Sequence, residues 1–179
     1  QYSDLEYFNG TLYATGGNTT LYKTPGTWSS VSTSLNANTP HMMTAYGDRL
    51  YITDLGYKIY SLNTSDSLAT SGSNTITLGG ATNTFNLTFI RSSSNRIWIG
   101  LLGTAGGKGY VYEWDGVSSQ VTRSYRLQAQ GALACVIKDD IPWIIDTNGR
   151  LLAWNGATFV EKGRLPLVRD QFLVNATAT

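Results

Sequence analysis

Apolar and polar residues alternate along this chain in short bursts closed by turn residues, and no window sets apolar residues at helical spacing over three turns. The first unit reads Leu5 to Asn9, a Gly10 turn, Leu12 to Thr15, a Gly16-Gly17-Asn18 turn, Thr20 to Lys23, Pro25-Gly26, and Thr27 to Val31. Four short strands with tight turns between them predict one antiparallel meander. The pattern then resets. The second unit runs Met42 to Tyr46, Leu50 to Thr53, Lys58 to Leu62 and Thr75 to Leu78, with a Ser/Thr-rich stretch from Asn63 to Asn74 expected to be a mobile surface loop. The third runs Phe85 to Ile90, Ile97 to Gly100, Tyr110 to Trp114 and Val121 to Leu127, and the fourth Leu133 to Ile137, Ile141 to Ile145, Leu151 to Trp154 and Thr158 to Glu161.

Register separates this from generic β structure. A large aromatic recurs in each second strand at Tyr13, Tyr51, Trp98 and Trp143, at steps of 38, 47 and 45 residues. The third strands carry Tyr22, Tyr60, Tyr112 and Leu152, and two of them end in a Trp followed by a turn, Trp114-Asp115-Gly116 and Trp154-Asn155-Gly156. A pattern that resets every four strands predicts β-propeller blades, with the aromatics filling the wedge between adjacent sheets. The competing fold is a β-sandwich, which has no reason to reset in this way. The expected fold is all-β, a propeller of about four four-stranded blades in one domain, with blades near 5–35, 41–79, 85–128 and 132–165. Residues 166–179 would be the start of a further strand or a tail, Phe172-Leu173-Val174 being its strand-like part. An unclosed stack of blades would leave two apolar faces, so the expected partners are the remainder of a longer propeller or other protein chains.

These units resemble kelch-type propeller repeats, in which a glycine pair follows the second strand, an aromatic follows in the third, and a Trp comes later. Gly16-Gly17, Tyr22 and Trp28 follow that order, and Gly106-Gly107, Tyr112 and Trp114 follow it loosely. The second and fourth units lack the glycine pair. Thr24-Pro25-Gly26-Thr27-Trp28 is similar to the Asp-box turn of sialidase-like propellers without its aspartate. The resemblance implies a propeller, with glycan binding or glycoside processing as the alternative to a plain scaffold.

Composition narrows the function classes. Only 14% of the residues are charged and the formal net charge is +1, with Lys and Arg scattered, so no nucleic-acid footprint is visible. No apolar stretch approaches the roughly 18 residues needed to cross a bilayer, so no membrane insertion is expected. Gln1 reads as a processing or fragment boundary. The Thr-, Ser-, Asn- and Gly-rich, charge-poor make-up suits an extracellular or virion protein, such as a phage-tail component. Cys135 is the one cysteine and reads as a small buried hydrophobe. Five Asn-x-Ser/Thr triplets, at Asn9, Asn18, Asn63, Asn86 and Asn175, leave glycosylation undecided.

Catalytic patterns are sparse. There is one histidine, no Gly-x-Ser-x-Gly elbow and no Cys/His cluster, so neither a cofactor nor a metal is expected. The run Gly103 to Gly109 joins two strands and lacks a helix N-terminus for phosphate. Asp139-Asp140 fits a solvated turn better than a catalytic carboxylate pair. A sialidase-like arginine cluster would need recurrence at one blade position, which the arginines lack. Propellers present ligands on the loops that link strand two to strand three and one blade to the next. Here those loops carry Asn38, Gln128 and Asn148 together with the six candidate ligand contacts His41, Asp54, Tyr57, Lys108, Gln130 and Asp146. The expected function is a non-enzymatic scaffold or interaction module, with glycan as a possible ligand.

Overall fold

In the computed structural model of the chain, the residues described are 2–16, 19–31, 35–36, 41–55, 57–78, 85–103 and 107–166. Gly17, Asn38, Gly106, Phe172 to Val174, Asn18 and Asn175 lie outside them. The described residues form seventeen strands and no helix.

The first sheet holds β1 (Tyr2–Phe8), β2 (Thr11–Gly16), β3 (Leu21–Thr24) and β4 (Ser29–Val31), in chain order. The second holds β5 (Met43–Tyr46), β6 (Arg49–Asp54) and β7 (Lys58–Asn63), whose outer edge carries two short strands, β8 (Leu68–Ala69) and β9 (Ile76–Thr77). The third is β10 (Phe85–Ser93), β11 (Arg96–Gly103), β12 (Tyr110–Trp114) and β13 (Arg123–Arg126). The fourth is β14 (Ala132–Lys138), β15 (Ile141–Asp146), β16 (Arg150–Trp154) and β17 (Phe159–Arg164). Every pairing is antiparallel, and the first strands pack in the sequence β1, β5, β10, β14, with no comparable contact returning from β14 to β1. Four meanders stacked through their first strands are the blades of a β-propeller.

Period-two alternation gives each sheet one face toward the preceding blade and one toward the following blade. Phe8, Tyr13 and Leu21 of the first blade meet Met43, Ile52 and Leu62 of the second. Tyr51 and Ile59 of the second meet Ile90, Ile99 and Trp114 of the third. Phe89, Trp98 and Val111 of the third meet Ala132, Ile144 and Leu152 of the fourth. Tyr13, Tyr51 and Trp98 are therefore the forward-facing wedges that the sequence predicts. Tyr13 donates its hydroxyl to Asp66 (2.7 Å) and Tyr51 donates to the Gly116 carbonyl (2.8 Å), each reaching the turn after the third strand of the next blade. Burial pushes the Tyr51 phenol up to about 12.

First strands have one edge without a strand neighbour, and side chains cover it. On β5 the Met43 amide donates to Asp4 Oδ2 (2.8 Å) and the Ala45 amide to Glu6 Oε1 (3.3 Å), while the Ala45 carbonyl accepts from Ser92 (2.7 Å). Three of the four first strands are irregular near their start, between Tyr2 and Asp4, Leu87 and Phe89, and Ala132 and Ala134. Such bulges twist and re-aim a strand beside a loop face, and nothing in the residue pattern marks them.

The Trp-Asp-Gly and Trp-Asn-Gly runs close the third strands. Asp115 Oδ1 accepts from the amides of Val117 and Ser118 (both 2.8 Å), and Asn155 Oδ1 from those of Ala157 (3.0 Å) and Thr158 (2.9 Å). Asn63 does the same in the second blade with Ser65 (2.9 Å) and Ser67 (3.0 Å), a side-chain mimic of a backbone turn. The Asn63 to Asn74 stretch is thus no loose loop. It carries β8, and its Asp66 pairs with Lys23 and Tyr13 of the first blade.

Candidate functional site

The rim formed by the turns from second to third strands and by the links between blades holds all six predicted contacts, but as two separate groups in different environments. At the junction of the first two blades, His41 and Asp54 are fully buried. Asp54 closes β6 and accepts from the Asn36 amide (3.1 Å) and the Asn36 side chain (2.5 Å). Burial, with the Asp54 charge and hydrogen bond acting in the same direction, pushes the Tyr60 phenol up to about 12. The His41 ring faces carbonyl oxygens on both sides, Thr53 at Nδ1 (2.8 Å) and Asn36 at Nε2 (3.1 Å), with Asp54 Oδ1 3.7 Å away. Thr15 donates to the His41 carbonyl (2.6 Å), so the knot ties the end of the first blade to the second.

At the junction of the third and fourth blades, Asp146 is also fully buried. Its Oδ1 accepts from the amides of Asn148 (2.9 Å) and Arg150 (3.0 Å), and its Oδ2 from both ends of the Arg150 guanidinium (2.7 Å each). Arg150 passes on to Gln128 Oε1 (2.8 Å), and Lys108 donates to the Gln128 carbonyl (2.5 Å). Gln130 donates to the Gly103 carbonyl (3.1 Å).

The six residues do not form one row of solvent-facing groups. His41, Asp54 and Asp146 are turned into the fold: Asp146 accepts from the amides of its own turn, and Asp54 and His41 are held by Asn36 and Thr53 at the link between the first two blades. Lys108 and Gln130 are exposed and Tyr57 is half-buried, with its carbonyl accepting from Leu78 (2.8 Å). No hydrogen bond described joins the His41 group to the Lys108 group.

Sequence reasoning missed an open cleft of about 300 Å³ between the third and fourth blades, whose lining includes Tyr125, Arg126, Gln128, Arg150, Phe159 and Glu161. Its arginines come from a fourth strand and a third strand, so recurrence at one blade position could not reveal them. The other clefts described lie between the second and third blades; the largest, about 590 Å³, opens at the opposite turns around Tyr46, Asp48, Ser93 and Asp115. None of the four is lined by any of the six predicted contacts.

Asp139 and Asp140 form the positive-φ turn between β14 and β15, both exposed, as the sequence suggests. The Ser94 amide donates to Asp140 (2.6 Å) and holds its carboxyl below the ordinary value. Cys135 is half-buried against the junction of the last two blades, and burial pushes its thiol up to about 12. Among the described residues, no three His, Cys, Asp or Glu side chains gather as a metal site, and no helix is long and apolar enough to cross a membrane.

No known family and no curated protein matches the sequence. Likeness appears at the level of structure. The computationally designed Ika8 protein is similar at a TM-score of 0.60 with 14% identity, over 86% of this chain and 45% of that one. The glutaminyl cyclase of Myxococcus xanthus is similar at 0.54 with 12% identity, over 99% of this chain and 75% of that one. BamB from Moraxella catarrhalis is similar at 0.53 with 14% identity, over 89% of this chain and 51% of that one. The likeness shows the fold. The chain spans about half the length of Ika8 and BamB and three quarters of the cyclase.

Proposed function

We propose that this chain is a β-propeller interaction scaffold that binds protein partners and performs no catalysis, working in an extracellular or virion assembly such as a phage tail. One structurally similar protein is a cyclase, so the fold does not decide between scaffold and enzyme, and the site must. The observation that carries the reading is how the rim's acids are used. Asp54 and Asp146 are buried and given over to amides and a guanidinium of their own chain, which makes them parts of the frame rather than groups poised for substrate. The exposed rim beside them offers Lys108, Gln128 and Gln130, single polar groups of the kind that line a protein contact. The charge-poor composition supports the setting.

Binding of the purified chain to proteins of its parent assembly, measured beside a glycan array and fluorogenic glycosides, tests the proposal. The expected result is protein binding weakened at least about tenfold by the double substitution Lys108→Ala, Gln130→Ala, with no turnover. Glycoside turnover that is abolished by Arg126→Ala or Glu161→Gln in the 300 Å³ cleft overturns it in favour of a sialidase-like enzyme.

A further inference from the structure

We propose that the first blade's backward face and the fourth blade's forward face are the two halves of one missing blade junction, and that a second copy of this chain completes it, head to tail, in an eight-bladed ring. The proposal deepens the scaffold reading by naming one partner.

Register fixes which residues would meet. In the first strands, Glu6, Thr44, Arg91 and Val136 are equivalent, each lying opposite the second-strand aromatic of its blade: Tyr13, Tyr51, Trp98 and Trp143. Tyr7, Ala45 and Ser92 are equivalent in turn, opposite Leu12, Leu50 and Ile97. Across the first junction Glu6 accepts from the Ala45 amide (3.3 Å), and across the second Thr44 donates to Ser92 (3.2 Å). The same step from the fourth blade sets Val136 against Tyr7. These are the two most exposed large hydrophobic residues described, at 60% and 66%. Where the first two junctions are joined by hydrogen bonds at this step, the two ends carry an apolar pair, as a face covered by the other end requires.

The forward-facing aromatics agree. The aromatics Tyr13 and Tyr51 send a polar atom into the turn after the third strand of the next blade, at Asp66 and Gly116. Trp143 is the equivalent forward-facing aromatic of the fourth blade and is half-buried. That aromatic therefore has no following blade to cover it among the described residues. The four described blades cover 45% and 51% of two structurally similar chains. A head-to-tail interface closes when its rotation completes a ring, which two such sets would do.

Sedimentation and light scattering of the purified 179-residue chain test this. The expected mass is twice the 19.5 kDa of one chain. Tyr7→Lys and Val136→Glu should each weaken the dimer at least about tenfold. An equimolar mixture of the two variants should dimerise again, because one joint in the mixed ring is unaltered and the other sets Lys against Glu. Circular dichroism checks that both variants keep their β structure, and Tyr7→Ala with Val136→Ala replaces them if either does not fold. A monomeric wild type, a dimer indifferent to both substitutions, an open-ended polymer, or a mixture that stays monomeric overturns the proposal. A monomer that still binds assembly proteins through Lys108 and Gln130 would remove the ring and leave the scaffold reading intact.

Discussion

The two inner blades and the two end blades are built on one pattern and differ in what covers them. Met43 and Ile90 occupy the backward-facing position of their first strands and are 0% exposed, while Leu5 holds the same position in the first blade and is 58% exposed. At the forward-facing aromatic, Trp98 is 1% exposed and Trp143 is half-buried. The residue type is preserved at the ends although the burial that justifies it is absent within one chain. Similar apolar chemistry at unequal burial gives a direct way to measure what one blade contributes to its neighbour.

The largest expected effect comes from the paired substitutions Trp98→Ala and Trp143→Ala. Trp98 packs against Trp154 (5.4 Å between ring centroids), Phe159 (5.8 Å) and Tyr125 (6.2 Å) of the next junction and donates its indole N–H to Ser93. Its removal should cost about 3–5 kcal/mol. Trp143→Ala should cost about 1 kcal/mol in the monomer, read from denaturant midpoints at low concentration. Equal losses would break the comparison, since they would mean that Trp143 is already covered.

Polar groups sharpen it next. Asp146 belongs to an end blade yet is buried with its Arg150 partner, so Asp146→Ala should cost about 3 kcal/mol. A loss under about 0.5 kcal/mol, the scale of an ordinary surface change, would show the fourth blade to be loosely held on its rim side too. At the second junction, Tyr51→Phe removes the donor to the Gly116 carbonyl and should cost about 1–2 kcal/mol. The position tolerates no added bulk either: Gly116 has φ +78°, and a Cβ there would stand 2.8 Å from the Tyr51 hydroxyl oxygen.

Most of the architecture was legible because blade packing writes itself into period-two alternation. The four second-strand aromatics and the turn residues Asp115 and Asn155 name their own positions in the chain. The site was less legible. A residue between strands reads as exposed, but Asp146 is drawn inward by amides that the folded turn brings together, and Asp54 by Asn36 from the link between the first two blades. Likewise Asn63 to Asn74 reads as a loose Ser/Thr loop until Asp66 meets Lys23 from another blade. Arg126 and Arg150 share a cleft only because blades three and four are adjacent, a relation that spacing along the chain does not carry.

The smallest effect concerns that Asp66 contact, which the first junction has and the open ends lack. Burial raises the Asp66 carboxyl, but hydrogen bonds from Lys23 and Tyr13 outweigh it, and the net displacement is below the ordinary value. A carboxyl lowered by folding contributes stability that is fully present above the unfolded value, near 3.9, and is lost as pH falls through the folded one. Glu6 at the same junction works in the opposite sense. Burial raises its carboxyl more than the Ala45 amide lowers it, so protonation of Glu6 favours the fold as the medium becomes acid. Urea unfolding of Asp66→Asn should therefore show a shallower loss of stability below about pH 4 than the wild type, or a gain as Glu6 takes up its proton. An acid limb unchanged by the substitution would mean that the Lys23 pair is no tighter in the folded chain than in the unfolded one, and that apolar packing alone distinguishes the covered junction from the open faces.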